Sequence, residues 1–147
     1  MITVNTVLSS NLASLPSNAY YGDAGSDITS VEHVVLRPFE RKAVSCGINI
    51  ELPIGYAGLV VPRSGLAVKH GISIVNAPGL IDSGYRGDVK VILVNLDPSE
   101  EFEVNEGDRI AQLVIVKIVE VEYVEVSNLG SSERNVNGFG SSGIHQK

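Results

Sequence analysis

Four short runs in this chain combine glycine with a charged or hydroxyl side chain, a pairing that tight turns use to present polar groups. The longest is Asn76-Ala77-Pro78-Gly79-Leu80-Ile81-Asp82-Ser83-Gly84-Tyr85-Arg86-Gly87. It holds two turn signals, with an amide, a carboxylate and a phenol between them. Asp82 in such a turn is also the usual acid of an Asx-turn onto Ser83 and Gly84. Pro62-Arg63-Ser64-Gly65 stands between a candidate strand and a candidate helix. A helix start with an Arg, a hydroxyl and a Gly suits phosphate oxygens, whereas helix capping accounts for Ser64 and gives no reason for Arg63. Ala24-Gly25-Ser26-Asp27 places another acid in a tight turn. In Gly107-Asp108-Arg109-Ile110-Ala111-Gln112 the amide of Gln112 interrupts an otherwise apolar strand, and if buried it needs a hydrogen-bonding partner.

A fifth patch lies near the C-terminus. More than half of Ser127–Lys147 is Gly, Ser or Asn, and its large apolar ring is Phe139. Such a composition reads first as a disordered tail. Within it, however, Gly138-Phe139-Gly140-Ser141-Ser142-Gly143 offers backbone N–H groups and two hydroxyls, which suit oxyanions. Other chemistries find no support. The chain has no G-x-x-x-x-G-K-[ST] phosphate loop, no G-x-G-x-x-G after a first strand and no G-x-S-x-G elbow. His33, His70 and His145 are isolated from one another and read as surface or loop residues, and Cys46 as a small core residue.

The elements that must position these runs are strands. The apolar residues are mostly β-branched, and 15 Gly and 6 Pro punctuate the chain at short intervals, which predicts an all-β sandwich or barrel. Candidate strands are Ala43–Leu52, Ala57–Val61, Val89–Leu96 and a long stretch from Arg109 to Val126. Val119–Tyr123 alternates apolar with acidic and predicts a strand at a wet surface. Val89–Val94 is apolar on both faces beyond Lys90, which predicts a central sheet position or a subunit interface. One short helix is expected at Leu66–His70, closed by Gly71.

Composition sets the bounds. The chain has 147 residues, 44% of them hydrophobic and 19% charged, which fits one folded domain. A net charge of -6 argues against a polynucleotide binder held by phosphate neutralisation. A single cysteine excludes an internal disulfide framework and a thiolate-rich zinc site. No signal-peptide pattern and no apolar run long enough to span a bilayer is visible, so an intracellular, cytoplasmic setting without membrane contact is expected.

In this order the motifs resemble those of the trimeric deoxyuridine triphosphate nucleotidohydrolase (dUTPase) family. The match runs from Ala24 to Gly143 and covers Ala24–Ile28, Pro62–Ala67, Asn76–Gly87, Gly107–Leu113 and Arg134–Gly143. The resemblance implies a β jelly roll in a homotrimer, with residues 1–126 as the body and 127–147 as an arm that closes over a neighbouring active site. It implies hydrolysis of dUTP to dUMP and pyrophosphate by water attack at the α-phosphorus, which limits uracil in DNA and supplies dUMP for dTMP synthesis. Asp82 is then the general base. Arg63, Ser64, Gly65 and Gln112 hold the triphosphate with a Mg²⁺ kept mainly by phosphates and water, so no dedicated protein metal site is expected. Asp27 supports that region. Asn76 and the backbone of Gly79, Leu80, Ile81 and Asp82 read the uracil edge. Tyr85 lies beneath the deoxyribose and excludes a 2′-hydroxyl, and Lys90 contacts substrate through its backbone. Phe139 stacks on uracil, Arg134 reaches the γ-phosphate, and Gly140, Ser141 and Ser142 complete the clamp.

The arm departs from the family's Arg-Gly-x-Gly-Gly-Phe-Gly: here Asn135 and Asn137 stand where glycines are usual. Asn tolerates left-handed backbone better than most residues. Two other readings share the fold. A dCTP deaminase needs a carboxylate on the strand after the hairpin, where this chain has Ile92, and a catalytically inactive nucleotide-binding module has no need of Asp82, Arg63 and Gln112 together.

Overall fold

The chain is described here by a computed structural model, which covers residues 1–137. Ten strands and one helix occur among them: β1 (Asn5–Leu8), β2 (Gly25–Thr29), β3 (Val34–Leu36), β4 (Arg41–Glu51), β5 (Tyr56–Val61), α1 (Ser64–His70), β6 (Ile72–Ile74), β7 (Gly79–Ile81), β8 (Asp88–Asn95), β9 (Phe102–Val104) and β10 (Arg109–Lys117). They build two four-stranded sheets, β1-β4-β8-β6 and β2-β10-β5-β7, with β3 and β9 as a separate pair. Every pairing is antiparallel. This is the expected jelly-roll sandwich.

The core lies between the sheets, where β-branched alternation puts it. Val44, Cys46, Ile48 and Ile50 of β4 lie beside Val89, Val91 and Leu93 of the neighbouring β8, all at most 2% exposed. Burial pushes the Cys46 thiol up to about 12, so it behaves as a small apolar residue, as expected. Partway along the β4–β8 pairing the register shifts, from Ser45↔Lys90 to Asn49↔Asp88. β4 therefore carries two extra residues, an even number, so its inward set does not flip to the other face. Gly47 makes this irregularity possible with φ 63°. Between the hairpins, Asn95 is fully buried and ties three segments: its amide donates to the carbonyls of Leu36 and Glu100, and its Oδ1 accepts from Asp97 N–H.

Three of the four expected strands occur within a residue or two of their expected ends. The fourth is a correction. β10 stops at Lys117, and Ile118–Val126 forms no strand among the described residues; Val119 and Tyr123 are 80% and 94% exposed. Alternation alone does not make a strand, which needs a neighbouring backbone to satisfy its N–H and C=O groups; among the described residues the segment finds one such partner, the Gly55 carbonyl, which accepts from Ile118 N–H at 2.9 Å. The two-sided apolar strand is β8, whose outer residues Ile92 and Val94 are half-buried. The helix forms as expected but starts two residues earlier, and Gly71 closes it at φ 64°. No helix among the described residues is long and apolar enough to cross a membrane.

Gly47→Ala tests the irregularity in β4. A Cβ there would stand 2.8 Å from Val31 Cγ1, in a left-handed backbone. Urea unfolding is expected to show a loss of about 1–3 kcal/mol; an unchanged midpoint would mean that the bulge is not held in this conformation.

Candidate active site

Asp27 is the point on which one polar cluster converges. The expected tight turn is instead a strand: Asp27 sits within β2, opposite Gln112 on β10, and is 6% exposed. Arg63 Nε donates to its Oδ1 at 3.0 Å, Arg109 Nη1 lies 3.4 Å from Oδ2, and Gln112 Nε2 is 3.5 Å from Oδ1. A regular strand would send residues 109 and 112 to opposite faces. β10 avoids this with a one-residue bulge between Arg109↔Thr29 and Ala111↔Ile28. The extra residue lets Ile110 and Ala111 both turn inward while Arg109 and Gln112 both flank Asp27. Gly25 leaves room for the Gln112 side chain, since a Cβ there would lie 3.3 Å from it.

Arg63 arrives from the other side. β5 ends at Val61, paired with Gln112, and Arg63 follows in extended conformation as the N-cap of α1. Its Nη1 also donates to the Arg109 carbonyl at 3.2 Å. Capping does not explain Ser64, because Ser64 is the first helical residue and no side chain caps the helix. Ser64 and Gly65 are both exposed, and a Cβ on Gly65 would meet nothing within 4 Å. Two guanidinium groups share one carboxylate, which leaves the cluster net positive in a protein whose overall charge is negative. Arg63 and Arg109 also line a cavity of about 330 Å³ with Leu66, His70 and Phe102, and with the acids Glu103 and Asp108 on its lining as well. An open, cationic cluster beside a free hydroxyl and a free amide is suited to bind phosphate oxygens.

The second constellation is the hairpin. Asn76 is exposed, with its Nδ2 beside Gly79, while Gly79 and Ile81 are buried in β7 and Leu80 points out. Asp82 is exposed, and among the described residues its carboxylate has no hydrogen-bond partner, so the Asx-turn does not form; the turn is closed by Tyr85 N–H donating to the Asp82 carbonyl at 3.0 Å. The Tyr85 ring folds across Gly87, and its hydroxyl donates to the Asp88 carbonyl at 3.0 Å. Leu80, Ile81, Tyr85, Lys90 and Ile92 line a cavity of about 300 Å³. Lys90 is exposed on the outer face of β8. Asp88 also borders this cavity; its Oδ2 accepts from Ser45 Oγ at 2.7 Å, while its buried Oδ1 has no partner among the described residues.

The two constellations do not meet in one chain. Gly58↔Ile81 sets Asp82 opposite Ala57, at the start of β5, whereas Arg63 lies beyond its end. Six residues of extended chain span roughly 20 Å, farther than a chain of three phosphates. Neither cavity contains residues of the other constellation.

Other site residues fall away from both. Arg134 is exposed, and its Nε donates to the Asn137 carbonyl at 2.9 Å. Asn135 has φ 45°, a backbone conformation that glycine ordinarily supplies and asparagine tolerates. Phe139, Gly140, Ser141 and Ser142 lie outside the described residues, as does His145. His33 and His70 are exposed, as expected. No group of three or more metal-ligating side chains gathers among the described residues. Arg109 was not singled out from the sequence; its signal was its place two residues past Gly107, unreadable without the bulge.

Comparison with known proteins follows this geometry. A family model described as dUTPase matches residues 11–143. The deoxyuridine 5'-triphosphate nucleotidohydrolase of Thermobifida fusca is 53% identical over 131 residues, covering 89% of this chain and 73% of the relative. That of Corynebacterium diphtheriae is 50% identical over 131 residues, covering 89% and 86%. Among solved structures, a variant dUTPase of Staphylococcus bacteriophage 80alpha with dUpNHpp superposes with a TM-score of 0.90 at 32% identity, covering 98% of this chain and all of that one. A variant of the phage phi11 dUTPase of S. aureus, described with a structural Mg(II) ion, gives a TM-score of 0.80 at 32% identity, covering 88% and 100%.

The packing of Tyr85 is open to a direct check. A Cβ on Gly87 would lie 2.6 Å from Tyr85 Cζ. Gly87→Ala is therefore expected to shift the Tyr85 ring resonances in NMR spectra with little loss of fold. Unchanged resonances would show that the ring does not lie over Gly87.

Proposed function

The chain belongs to the dUTPase family and hydrolyses dUTP to dUMP and pyrophosphate; from that premise we propose that Asp82 is its general base and that each active site joins the hairpin of one copy to the Asp27–Arg63 cluster of another. The observation that carries this reading is the separation of the two constellations along β5. Each has the chemistry that half of such a site requires, and a homotrimer brings three of each together.

In this account the hairpin binds the nucleoside. Asn76 and the backbone of Gly79, Leu80 and Ile81 match the uracil edge, and a mismatched edge leaves buried donors unpaired, which discriminates strongly. Tyr85 packs under the deoxyribose where a 2′-hydroxyl would need space, and Lys90 contributes through its backbone. The Asp82 carboxylate, without a partner among the described residues, accepts a proton from water as that water attacks the α-phosphorus. Arg63, with Arg109 beside it, offsets the charge of the phosphate chain, while Gln112, Ser64 and the Gly65 amide orient it. Asp27 does not stand free to receive a ligand, since three donors already occupy it; it holds Arg63, Arg109 and Gln112 in place.

The dUTPase family uses a divalent metal. A Mg²⁺ held by phosphate oxygens and water would neutralise charge on the phosphates, beside the triphosphate groups that Gln112 and Arg63 would hold. Residues 127–147 form the arm that closes over a neighbouring site, with Arg134 toward the γ-phosphate, Phe139 over the uracil, and Gly140, Ser141 and Ser142 along the phosphates. Closure shuts out bulk solvent while keeping the attacking water in line with the α-phosphorus. The enzyme acts inside the cell, where it limits uracil in DNA and supplies dUMP for dTMP synthesis.

Purified protein given dUTP and Mg²⁺ is expected to release pyrophosphate and no ammonia. Asp82→Asn should retain dUTP binding and lose about 10²–10⁴ in kcat. Turnover close to that of the unaltered protein would remove Asp82 from the role of base, and ammonia released from dCTP would overturn the reaction class.

A further inference from the structure

The turn that carries both Asp82 and Tyr85 has little holding it from within. Ser83 and Gly84 form its tip, a Cβ on Gly84 would meet nothing within 4 Å, and one backbone hydrogen bond, Tyr85 N–H to the Asp82 carbonyl, closes it. The Tyr85 hydroxyl is tethered to the Asp88 carbonyl at 3.0 Å, and the other anchors run through the neighbouring residue. Arg86 Nη1 donates to the Ser83 carbonyl at 2.6 Å and to the Tyr85 carbonyl at 2.8 Å. Its Nη2 donates to Glu51 Oε1 on β4 at 2.9 Å, and its own carbonyl accepts from Asn49 Nδ2 at 2.9 Å. Glu51 is fixed in turn by Asn5 of β1, whose Nδ2 donates to Oε2 at 2.9 Å.

We infer that Arg86 is a positioning residue: clamped to Glu51, it sets where Asp82 and Tyr85 stand, and so governs both turnover and the preference for deoxyribose. The inference rests on the roles proposed above for Asp82 and Tyr85 and names a residue that those roles leave out. A planar guanidinium fits this task. One nitrogen reaches two carbonyls on the inside of the turn while another reaches a carboxylate on the sheet, a span that a lysine ammonium does not reproduce. The Glu51 carboxyl is held below its ordinary range, first by the Asn5 hydrogen bond and then by Arg86, so it stays ionised as the partner of the clamp.

Magnitudes separate this from a merely stabilising ion pair. Arg86 and Glu51 are each about half exposed, at 51% and 50%, and exposed pairs contribute little to stability. Catalytic geometry is far less forgiving, since a misplacement of about 1 Å costs on the order of 10²-fold in rate. The clamp should therefore be nearly invisible in a melting curve and plain in the kinetics.

The test measures kcat and KM for dUTP and for UTP, together with the thermal midpoint, in the full-length protein carrying Arg86→Ala, Arg86→Lys, Glu51→Gln, or Arg86→Ala with Glu51→Gln. Arg86→Ala is expected to lower kcat/KM for dUTP by roughly 10- to 100-fold, to narrow the dUTP-over-UTP preference by about tenfold, and to shift the midpoint by no more than about 4 °C. Arg86→Lys should recover part of the loss, Glu51→Gln should move in the same direction by less, and the double variant should be no worse than Arg86→Ala alone. Unaltered kinetics in Arg86→Ala would overturn the proposal, as would a loss that falls equally on dUTP and UTP and tracks a lowered midpoint. Asp82→Asn and Tyr85→Ala are run alongside. If they too keep full turnover and preference, the underlying site assignment fails and the clamp with it; if they lose them while Arg86→Ala does not, the clamp alone fails.

Discussion

Burying the Asp27 carboxylate is tolerable because donors converge on it, and much of the phosphate-facing structure follows from meeting that condition. A lone ionised carboxylate out of water is costly, and removing a partner from a buried pair leaves the cost unmet. Arg63 satisfies one oxygen and thereby fixes how the chain leaves β5 and enters α1. Arg109 approaches the other oxygen, and the bulge in β10 is what allows it to do so from the same face as Gln112. The anchor that holds these side chains also leaves them with one positive charge in excess and a solvent-open side. Stability and ligand attraction thus come from the same arrangement.

β5 acts as a spacer between this cluster and the hairpin. Gly58, Leu59 and Val60 pair with β7 and fix the base of the hairpin, and the far end of the strand delivers Arg63. Strand rise makes their separation roughly 20 Å, too long for one triphosphate to join Asp82 to Arg63 within a single chain. In the proposed account, association of copies is therefore part of the active site's construction.

The sequence displayed the site more fully than it displayed the fold. Glycine-flanked polar residues mark themselves by type and order, so Asp82, Arg63, Gln112 and Tyr85 stood out as candidates without coordinates. Long β-branched strands such as β4, β5 and β8 were legible by alternation, but the three-residue strands β3, β6, β7 and β9 are too short to show a period. Asp27 was misplaced in a turn because Gly and Ser precede it, though pairing with β10 makes the segment a strand. The bulge that aligns Arg109 with Gln112 leaves no compositional trace. Ile118–Val126 shows the opposite failure: it has a clear strand pattern, but past the Ile118 N–H bond to Gly55 it has no backbone partner among the described residues.

Complementation between two defective chains tests the shared site most directly. Arg63→Ala lacks the phosphate cluster's cation and keeps a whole hairpin; Asp82→Asn lacks the base and keeps the cluster. Each should be inactive alone on dUTP. Co-expressed in equal amounts, they should recover pyrophosphate release approaching about one quarter of the unaltered rate, because random trimers place an intact hairpin beside an intact cluster in that share of sites. A mixture no more active than the two variants measured separately would contradict the account, and would mean that Asp82 and Arg63 serve a site within one chain.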